Sequence, residues 1–417
     1  MDAIKALDPA RALSPALPQP YLDLYVPQKN RPQSMAYFEN LVAAGGMGRV
    51  EEIVDAKEAT GCIAVGSFCV YSPEELVLAV DGIHFSLCSG TEVATDEVEK
   101  HIPRNTCALI KGLIGFKLSG KCPYMQVSDL IIGETTCDGK KKAYETLAEI
   151  SPAQVFVMSL PNIKTENGKQ LWTNEIKRCA EKIETLSDRK ITVEGLKKAF
   201  TIVNNRRQAQ QRLQQLRSAK PAPISGLDAL LVNQFASSAD PIAVTNAINT
   251  LCDELEERVK AGVGVTDKNA KRILIGGSPM AMPNWKVPGI IENAGAVIVG
   301  EESCVGTRTF QDLLDTSFET LEEGYAILAD RHMNIDCACF TPNDERPINI
   351  INLSKSSGAD GYVHYALQFC TPFTMEAFKV KRATEANDIP FLRIETDYSK
   401  EDIGQLKTRI EAFVEML

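Results

Sequence analysis

The sequence predicts an α/β protein with two Rossmann-like parallel-sheet domains, an intervening helical segment and an N-terminal helical arm. Two stretches of the chain alternate short apolar runs with helical patterns, which is typical of parallel strands joined by crossover helices. Between them, residues 172–262 contain no strand-like run and are rich in Gln, Arg, Glu, Leu and Ala, which predicts helices. The 417 residues, 44% of them apolar, are enough for two or three domains.

The N-terminal arm opens with a proline-rich stretch. Helical periodicity follows from Met35 to Lys57, so the arm is predicted to lead into helices and could wrap a neighbouring domain or subunit. The predicted boundaries of the four parts are 1–58 for the arm, 59–170 for the first domain, 171–265 for the helical segment and 266–417 for the second domain.

Short apolar runs predict the strands of each domain. The runs of the first domain are 62–68, 83–87, 130–132 and 154–158. The runs of the second domain are 272–275, which leads into a glycine turn, 296–299, 362–369 and 390–394. Helices are predicted at 74–80 and, with an amphipathic pattern, at 399–417. Because such folds bind ligands beyond the carboxyl ends of their strands, the cleft between the two halves is the predicted site.

Composition and charge narrow the class of protein. A net charge of −10 and a pI of about 5.2 argue against a surface that follows nucleic-acid phosphates. The start of the chain lacks the basic and then apolar pattern of a signal peptide, and no apolar segment has the length of a membrane span. The protein is therefore expected to be cytoplasmic, with no nucleic-acid or membrane partner.

The twelve cysteines are the most informative residues. A reducing cytosol makes a disulfide framework improbable, so the thiols either pack in the core or bind metal. Four of them follow directly on predicted strands, namely Cys69, Cys137, Cys304 and Cys370. Four more lie near loops, namely Cys107, Cys122, Cys337 and Cys339, whereas Cys62, Cys179 and Cys252 are interpreted as packing residues.

The ligand chemistry of thiolates favours zinc or an iron–sulfur cluster over hard cations. There is no Cys-x2-Cys pair and no His-Glu-x-x-His motif, which argues against a zinc ribbon or a zinc protease, although a four-cysteine zinc site stays open. A Gly-x4-Gly-Lys-Ser/Thr motif is also missing, so any ATP dependence is expected to reside in a partner chain. The run Lys140–Lys142 is interpreted as an exposed, solvated face and is assigned no site.

Several motifs resemble one known family. The decapeptide Gly133-Glu134-Thr135-Thr136-Cys137-Asp138-Gly139-Lys140-Lys141-Lys142 resembles the 2-hydroxyacyl-CoA dehydratase and benzoyl-CoA reductase family. Further segments are similar to its single-gene branch, the double-cubane cluster proteins. These segments are 72–76, 121–124, 302–306, 341–344 and 394–398, and the resemblance extends over about residues 35–417.

The resemblance implies a homodimer whose chains each carry a double-cubane 8Fe-9S cluster held by six cysteines. For one 4Fe-4S cubane it implies Cys107, Cys137 and Cys370 as ligands. For the second cubane it favours Cys122, Cys304 and Cys339, with Cys337 and Cys69 as reserves. Backbone amides of Thr135, Thr136 and Gly139 are expected either to donate hydrogen bonds to the cluster sulfurs or to be ordinary turn donors.

The resemblance also implies a function. An ATP-hydrolysing iron–sulfur reductase, the activator, would supply low-potential electrons, and this chain would reduce small molecules. The alternative is a 2-hydroxyacyl-CoA dehydratase subunit with a single 4Fe-4S cluster, and a third hypothesis is a cluster-bearing electron carrier or a zinc-stabilised binding module. No catalytic side chain is assigned beyond the cluster, and the physiological substrate stays open.

Overall fold

The computed structural model describes residues 18–44, 47–93 and 95–417, so the proline-rich start of the predicted arm lies outside the described residues. The predicted fold class is confirmed: two four-stranded sheets, parallel at every strand pair, are surrounded by helices. The first sheet has the strand order β2-β1-β3-β4. Its strands are β1 Ala64–Ser67, β2 Ile83–Ser86, β3 Leu130–Glu134 and β4 Gln154–Met158.

The second sheet repeats this arrangement with the order β6-β5-β7-β8. Its strands are β5 Arg272–Gly277, β6 Val297–Glu302, β7 Gly361–Leu367 and β8 Phe391–Thr396. Every residue of β1, β3, β5, β6 and β7 is buried, because helices cover both faces of a parallel sheet. The apolar runs in the sequence lack polar alternation because they form the central strands of the two sheets.

Helices occupy most of the remaining chain. Up to the end of the first sheet they are α1 Pro18–Leu24, a 3-10 turn at Gln33–Met35, α2 Ala36–Ala43, α3 Met47–Thr60, α4 Glu74–Leu78, α5 Thr95–Val98, α6 Ala108–Leu118, α7 Pro123–Val127 and α8 Asp138–Ile150. The helical segment contains α9 Glu166–Ser187, α10 Val193–Leu216, α11 Gly226–Ala236 and α12 Pro241–Lys260. The second half adds α13 Lys286–Asn293, α14 Thr307–Phe310, α15 Leu321–Asn334, α16 Glu345–Ser357, α17 Thr371–Glu385 and α18 Ile403–Met416. Among the described helices, none combines the length and the apolar character that crossing a bilayer requires.

The helices of the central segment have clear starting signals. Each begins after a side chain that accepts a hydrogen bond from the backbone of its first turn, which satisfies an otherwise unpaired N–H group. These side chains are Thr165, Thr192, Ser225 and Asp240. Capping side chains, as well as composition, therefore explain why residues 172–262 form helices.

The central segment connects the two halves. In α9, Trp172, Ile176 and Ile183 lie on one buried face, and the indole of Trp172 donates to His332 Nδ1 in α15 at 3.1 Å. The described part of the arm packs on α11: Tyr25 donates to the carbonyl of Leu227 at 3.0 Å. These contacts join the central segment to α15 of the second half and to the described part of the arm.

Candidate metal centre

The candidate cysteines lie at strand ends and at the starts of helices. Cys107, Cys122, Cys137 and Cys370 are the residues that immediately precede α6, α7, α8 and α17. Cys69 and Cys304 each follow a strand by two residues, after β1 and β6. A helix N-terminus favours negative charge, so this placement supports thiolate ligands in the longer helices. All twelve cysteines are free thiols.

A first thiol group joins Cys107 of the first half to Cys370 of the second. A hydrogen bond with Cys370, together with the backbone N–H groups of Leu109 and Ile110, lowers the pKa of the Cys107 thiol, although burial opposes this. Cys137 also interacts electrostatically with Cys107. Ser278, directly after β5, is a further hydrogen-bond partner of Cys370. The three cysteines that the resemblance assigns to one cubane are therefore neighbours.

A second thiol group consists of Cys69, Cys304, Cys337 and Cys339. The thiol of Cys304 is hydrogen-bonded to Cys337 and to Cys69, and the thiol of Cys337 is also hydrogen-bonded to Cys339. The Cys339 sulfur donates to the buried hydroxyl of Tyr71 at 3.7 Å. The hydrogen bond with Cys304 and burial raise the pKa of Cys337 to about 12, so without metal this thiol holds its proton. Metal binding at this group would release protons.

Cys122 occupies a different position. Burial raises the pKa of its thiol to about 11, although backbone N–H groups of α7 and the charge of Lys117 act in the opposite direction. In the described chain, no hydrogen bond or charge interaction joins Cys122 to another candidate ligand. Both reserve residues, Cys69 and Cys337, instead contact Cys304 directly. The structure therefore brings together seven of the eight candidate cysteines, in two groups.

Two of the three backbone amides singled out near Cys137 have partners within the protein. The N–H of Thr135 donates to the carbonyl of Met158 at 3.1 Å, and that of Thr136 donates to the carbonyl of Glu134 at 2.7 Å. Gly139 lies in the first turn of α8, where an added methyl group would come within 2.5 Å of Ile110 Cδ1. The glycine thus allows α6 and α8 to pack closely beside Cys107 and Cys137.

Two buried cations lie beside the second thiol group. Arg308, at the start of the second half's α14, points its Nη1 at the sulfur of Cys304, and Lys140 interacts electrostatically with Cys69. The interpretation of the Lys140–Lys142 run as an exposed face is wrong for Lys140, because the periodicity of α8 turns it inward to 7% exposure. Sequence reasoning also missed Cys88, which interacts with Cys304 and Lys140. Cys88 follows β2 by two residues, so the rule that identified Cys69 could have identified it.

The donor chemistry of the site fits an iron–sulfur cluster. Both groups contain only soft sulfur donors, and cations stand beside one of them, as a buried anionic group requires. In the described ranges, no set of three or more His, Cys, Asp or Glu side chains is placed to hold a single metal ion. A cubane presents its irons at separate corners, so its thiolates need not converge on one point. Cys107, Cys137 and Cys370 could hold one such unit, and the group around Cys304 another.

Comparison with known proteins identifies the family. The family model described as 2-hydroxyglutaryl-CoA dehydratase, D-component, matches residues 69–417. The chain belongs to this family. The resemblance to the dehydratase and reductase family is therefore confirmed, and both thiol groups lie within the matched part of this dehydratase-family chain.

Curated relatives of the dehydratase family span most of the chain. The protein YjiM of Escherichia coli (strain K12), whose name describes a dehydratase subunit, is 36% identical over 88% of this chain and 94% of its own length. The beta subunit of (R)-phenyllactyl-CoA dehydratase from Clostridium sporogenes is 26% identical over the same shares of the two chains. One of the subunits of benzoyl-CoA reductase from Thauera aromatica is 23% identical over 78% of this chain and 82% of its own. Membership of this family of dehydratase and reductase subunits supports an enzymatic role.

An apolar cavity opens beside the thiols of this family member. It has a volume of about 180 Å³ and lies between the halves. Its wall includes Phe116, Phe235, Met282 and Trp285, and Cys88 belongs both to this wall and to the surroundings of the second thiol group. Among the described residues that line the cavity, only Lys121 carries a charge. The cavity suits a small uncharged molecule better than a charged one.

Proposed function

We propose that this protein is the iron–sulfur reductase component of an ATP-driven system and carries a double-cubane 8Fe-9S cluster. The observation that carries the proposal is the division of the thiols into two groups within one cleft. A single 4Fe-4S cubane has four irons and uses at most four protein ligands. Seven thiols in two groups exceed that number and are explained by two cubanes.

The proposed ligand set differs from the one expected from the motifs. Cys107, Cys137 and Cys370 remain the ligands of the first cubane. For the second, we propose Cys304 with two of its neighbours Cys69, Cys337 and Cys339. Cys122 is left out because its interactions lie with Lys117 and the backbone of α7 rather than with other thiols. It is instead part of the cavity wall.

The remaining features of the proposal follow from the family resemblance. When bound, such a cluster would deliver low-potential electrons singly to a substrate. A separate ATP-hydrolysing iron–sulfur activator would reduce it, since the sequence has no phosphate-binding loop of the P-loop type. The chain is proposed to act as a homodimer in the cytoplasm. The cavity beside Cys88 is the proposed entry for a small uncharged substrate.

A dehydratase subunit with a single 4Fe-4S cluster is the second candidate function. The names of the relatives favour it, because they include dehydratase beta subunits. A single cluster at Cys107, Cys137 and Cys370 would then leave the group around Cys304 as buried thiols. Such a subunit would need a coenzyme A thioester to reach the cleft and, by the resemblance, a second, different chain.

A turnover assay distinguishes the two functions. The chain is purified without oxygen and combined with its ATP-hydrolysing activator, ATP and either a small alkyne or a 2-hydroxyacyl-CoA thioester, and the thioester reaction also contains the second chain that a dehydratase would need. The proposal expects reduction of the alkyne that stops when ATP or the activator is omitted. Dehydration of the thioester without alkyne reduction would favour the second function, and activity without ATP would contradict both.

A further inference from the structure

The lysine run at the start of α8 contains one buried and two exposed members. Helical geometry turns Lys140 inward with Ala143, Tyr144 and Leu147, whereas Lys141 and Lys142 point to solvent. The side chains of the exposed pair are 49% and 81% exposed and bind Asp138 and Glu145 at 3.1 and 2.6 Å. The three lysines therefore share a sequence context but not an environment.

The charge of Lys140 is not fully compensated by its carboxylate partner. Nζ of Lys140 lies 3.9 Å from Glu134 Oε2, beyond hydrogen-bond distance, and 5.8 Å from the centre of the Tyr144 ring. Glu134 is fully buried, and its Oε1 has no hydrogen-bond partner among the described residues. Burial raises the pKa of Glu134 to about 7, so this carboxylate carries only part of a negative charge near neutral pH.

Thiols supply the rest of the surroundings of Lys140. Burial alone would lower the pKa of the ammonium group, but interactions with Tyr144, Cys69, Glu134 and Cys88 raise it well above its usual value. The Tyr144 ring that Lys140 faces lies 5.9 Å, centre to centre, from the ring of Phe68, and the carbonyl of Phe68 accepts a hydrogen bond from the Cys88 sulfur at 2.7 Å. These contacts place the ammonium group beside the strand end that carries Cys69. A buried cation next to sulfur ligands requires an anion, just as a buried anionic cluster requires a cation.

We propose that Lys140 acts as a positioning residue. It is a fixed, buried cation that stabilises the reduced, more negatively charged state of the cubane held beside Cys69 and Cys304. This inference rests on the proposed function, because it needs a cluster at that group. The physical reason is that a buried positive charge beside the cluster favours the state with the additional electron. Removing the charge therefore lowers the reduction potential.

The test compares Lys140→Met with Lys141→Met, its exposed neighbour, and with Lys140→Arg, which keeps the charge. Each full-length variant is purified without oxygen, its iron per chain is measured, and its cluster is titrated with reductant under paramagnetic resonance detection. At the midpoint potential of the wild type, we expect the ratio of reduced to oxidised cluster to fall about tenfold in Lys140→Met, equivalent to ~59 mV in a one-electron couple. Lys140→Arg and Lys141→Met should stay near the wild type.

The possible outcomes separate this inference from the proposed function. Equal potentials in Lys140→Met and Lys141→Met at equal iron content would overturn the inference alone. If Lys140→Met loses iron, Lys140→Gln is titrated in its place. Loss of iron from both neutral variants but not from Lys140→Arg supports the requirement for charge, and loss from all three contradicts it. A wild type without iron would overturn the proposed function and, with it, the inference.

Discussion

Arg308 places its Nη1 atom 3.8 Å from the sulfur of Cys304, while its Nε donates to Glu302 Oε1 at 2.8 Å. Cys304 and Arg308 lie in the loop and short helix after β6, so the seven residues 302–308 bring a strand-end carboxylate, a thiol and a guanidinium together. Arg346 approaches the other oxygen of Glu302 at 2.8 Å. The carboxylate is fully buried, and although burial opposes ionisation, the two arginines lower its pKa. The strand end that carries Cys304 is thus fixed by a buried ion network.

Loss of Arg308 should destabilise this half strongly. In Arg308→Met, Glu302 keeps only one of its two arginines, Arg346, and breaking a buried pair from one side costs about 3–5 kcal/mol. The free energy of unfolding, measured by urea denaturation, is expected to fall by this amount. The matched change Arg393→Met removes a surface pair with Glu395 and should cost less than about 1 kcal/mol. Similar losses in the two variants would contradict the account of the network.

The ligand assignment predicts opposite effects at two cysteines. Cys304→Ala removes a proposed ligand, so iron and sulfide per chain should fall by about half. Cys122→Ala should keep the full content, because the interactions of Cys122 are with the charge of Lys117 and the backbone of α7 rather than with other thiols. Cys179→Ala, in the apolar core, serves as a control that alters packing but not iron. Loss of iron in Cys122→Ala equal to that in Cys304→Ala would restore the assignment made from the motifs.

Only glycine fits at residue 277, the last residue of β5. Gly277 has a φ of +131°, and a Cβ atom there would lie 1.9 Å from the carbonyl oxygen of Tyr365. Gly277→Ala should therefore lower the free energy of unfolding by at least about 1–3 kcal/mol and displace Ser278 from Cys370. In Gly404→Ala, nothing lies within 4 Å of the new atom, and the helix α18 should become more stable by about 0.5–1 kcal/mol. Thermal unfolding of both variants checks the difference, and a Gly277→Ala protein as stable as Gly404→Ala would contradict it.

Burial of Glu292 predicts a dependence of stability on pH. Burial raises the pKa of this carboxyl to about 7, although backbone N–H groups of Ile298, Gly226 and Leu227 act in the opposite direction. The unfolded chain releases this proton near pH 4.5, so the folded state holds more protons between pH 4.5 and 7. Stability should therefore decrease as the pH rises through this window, by roughly 3 kcal/mol from this group.

The measurement for Glu292 is urea unfolding at pH 5 and pH 8. Glu292→Gln cannot release a proton, so its loss of stability between the two values should be smaller than that of the wild type. Glu257→Gln is the control, because that side chain is 73% exposed and pairs with Lys260 at the surface. Parallel curves for Glu292→Gln and the wild type would show that the buried carboxyl does not titrate as described.

Much of the fold was predictable from the sequence, and the reasons are physical. Central parallel strands are buried on both faces, so β3 and β5 appear as uninterrupted apolar runs. Strand ends were less exact: the run predicted at 362–369 ends as a strand at Leu367, and Phe369 has a φ of 64° just before Cys370. The predicted helix over 399–417 begins at Ile403.

The site was only partly predictable. The strand-end rule found Cys69, Cys137, Cys304 and Cys370 because parallel strands end at one edge of a sheet. Which thiols contact each other depends on how the two halves are oriented relative to each other. No local sequence pattern encodes the neighbours of Cys122 or Cys337. The burial of Lys140 depends on the starting point of α8, since a helix beginning one residue later would turn a different lysine inward.

Iron and acid-labile sulfide per chain in protein purified without oxygen test the central claim most directly. The double-cubane proposal predicts about eight irons and slightly more sulfide per chain. About four irons, unchanged in Cys304→Ala, would contradict it and favour the dehydratase subunit with one cluster. Zinc without sulfide would contradict both interpretations of the thiol cleft.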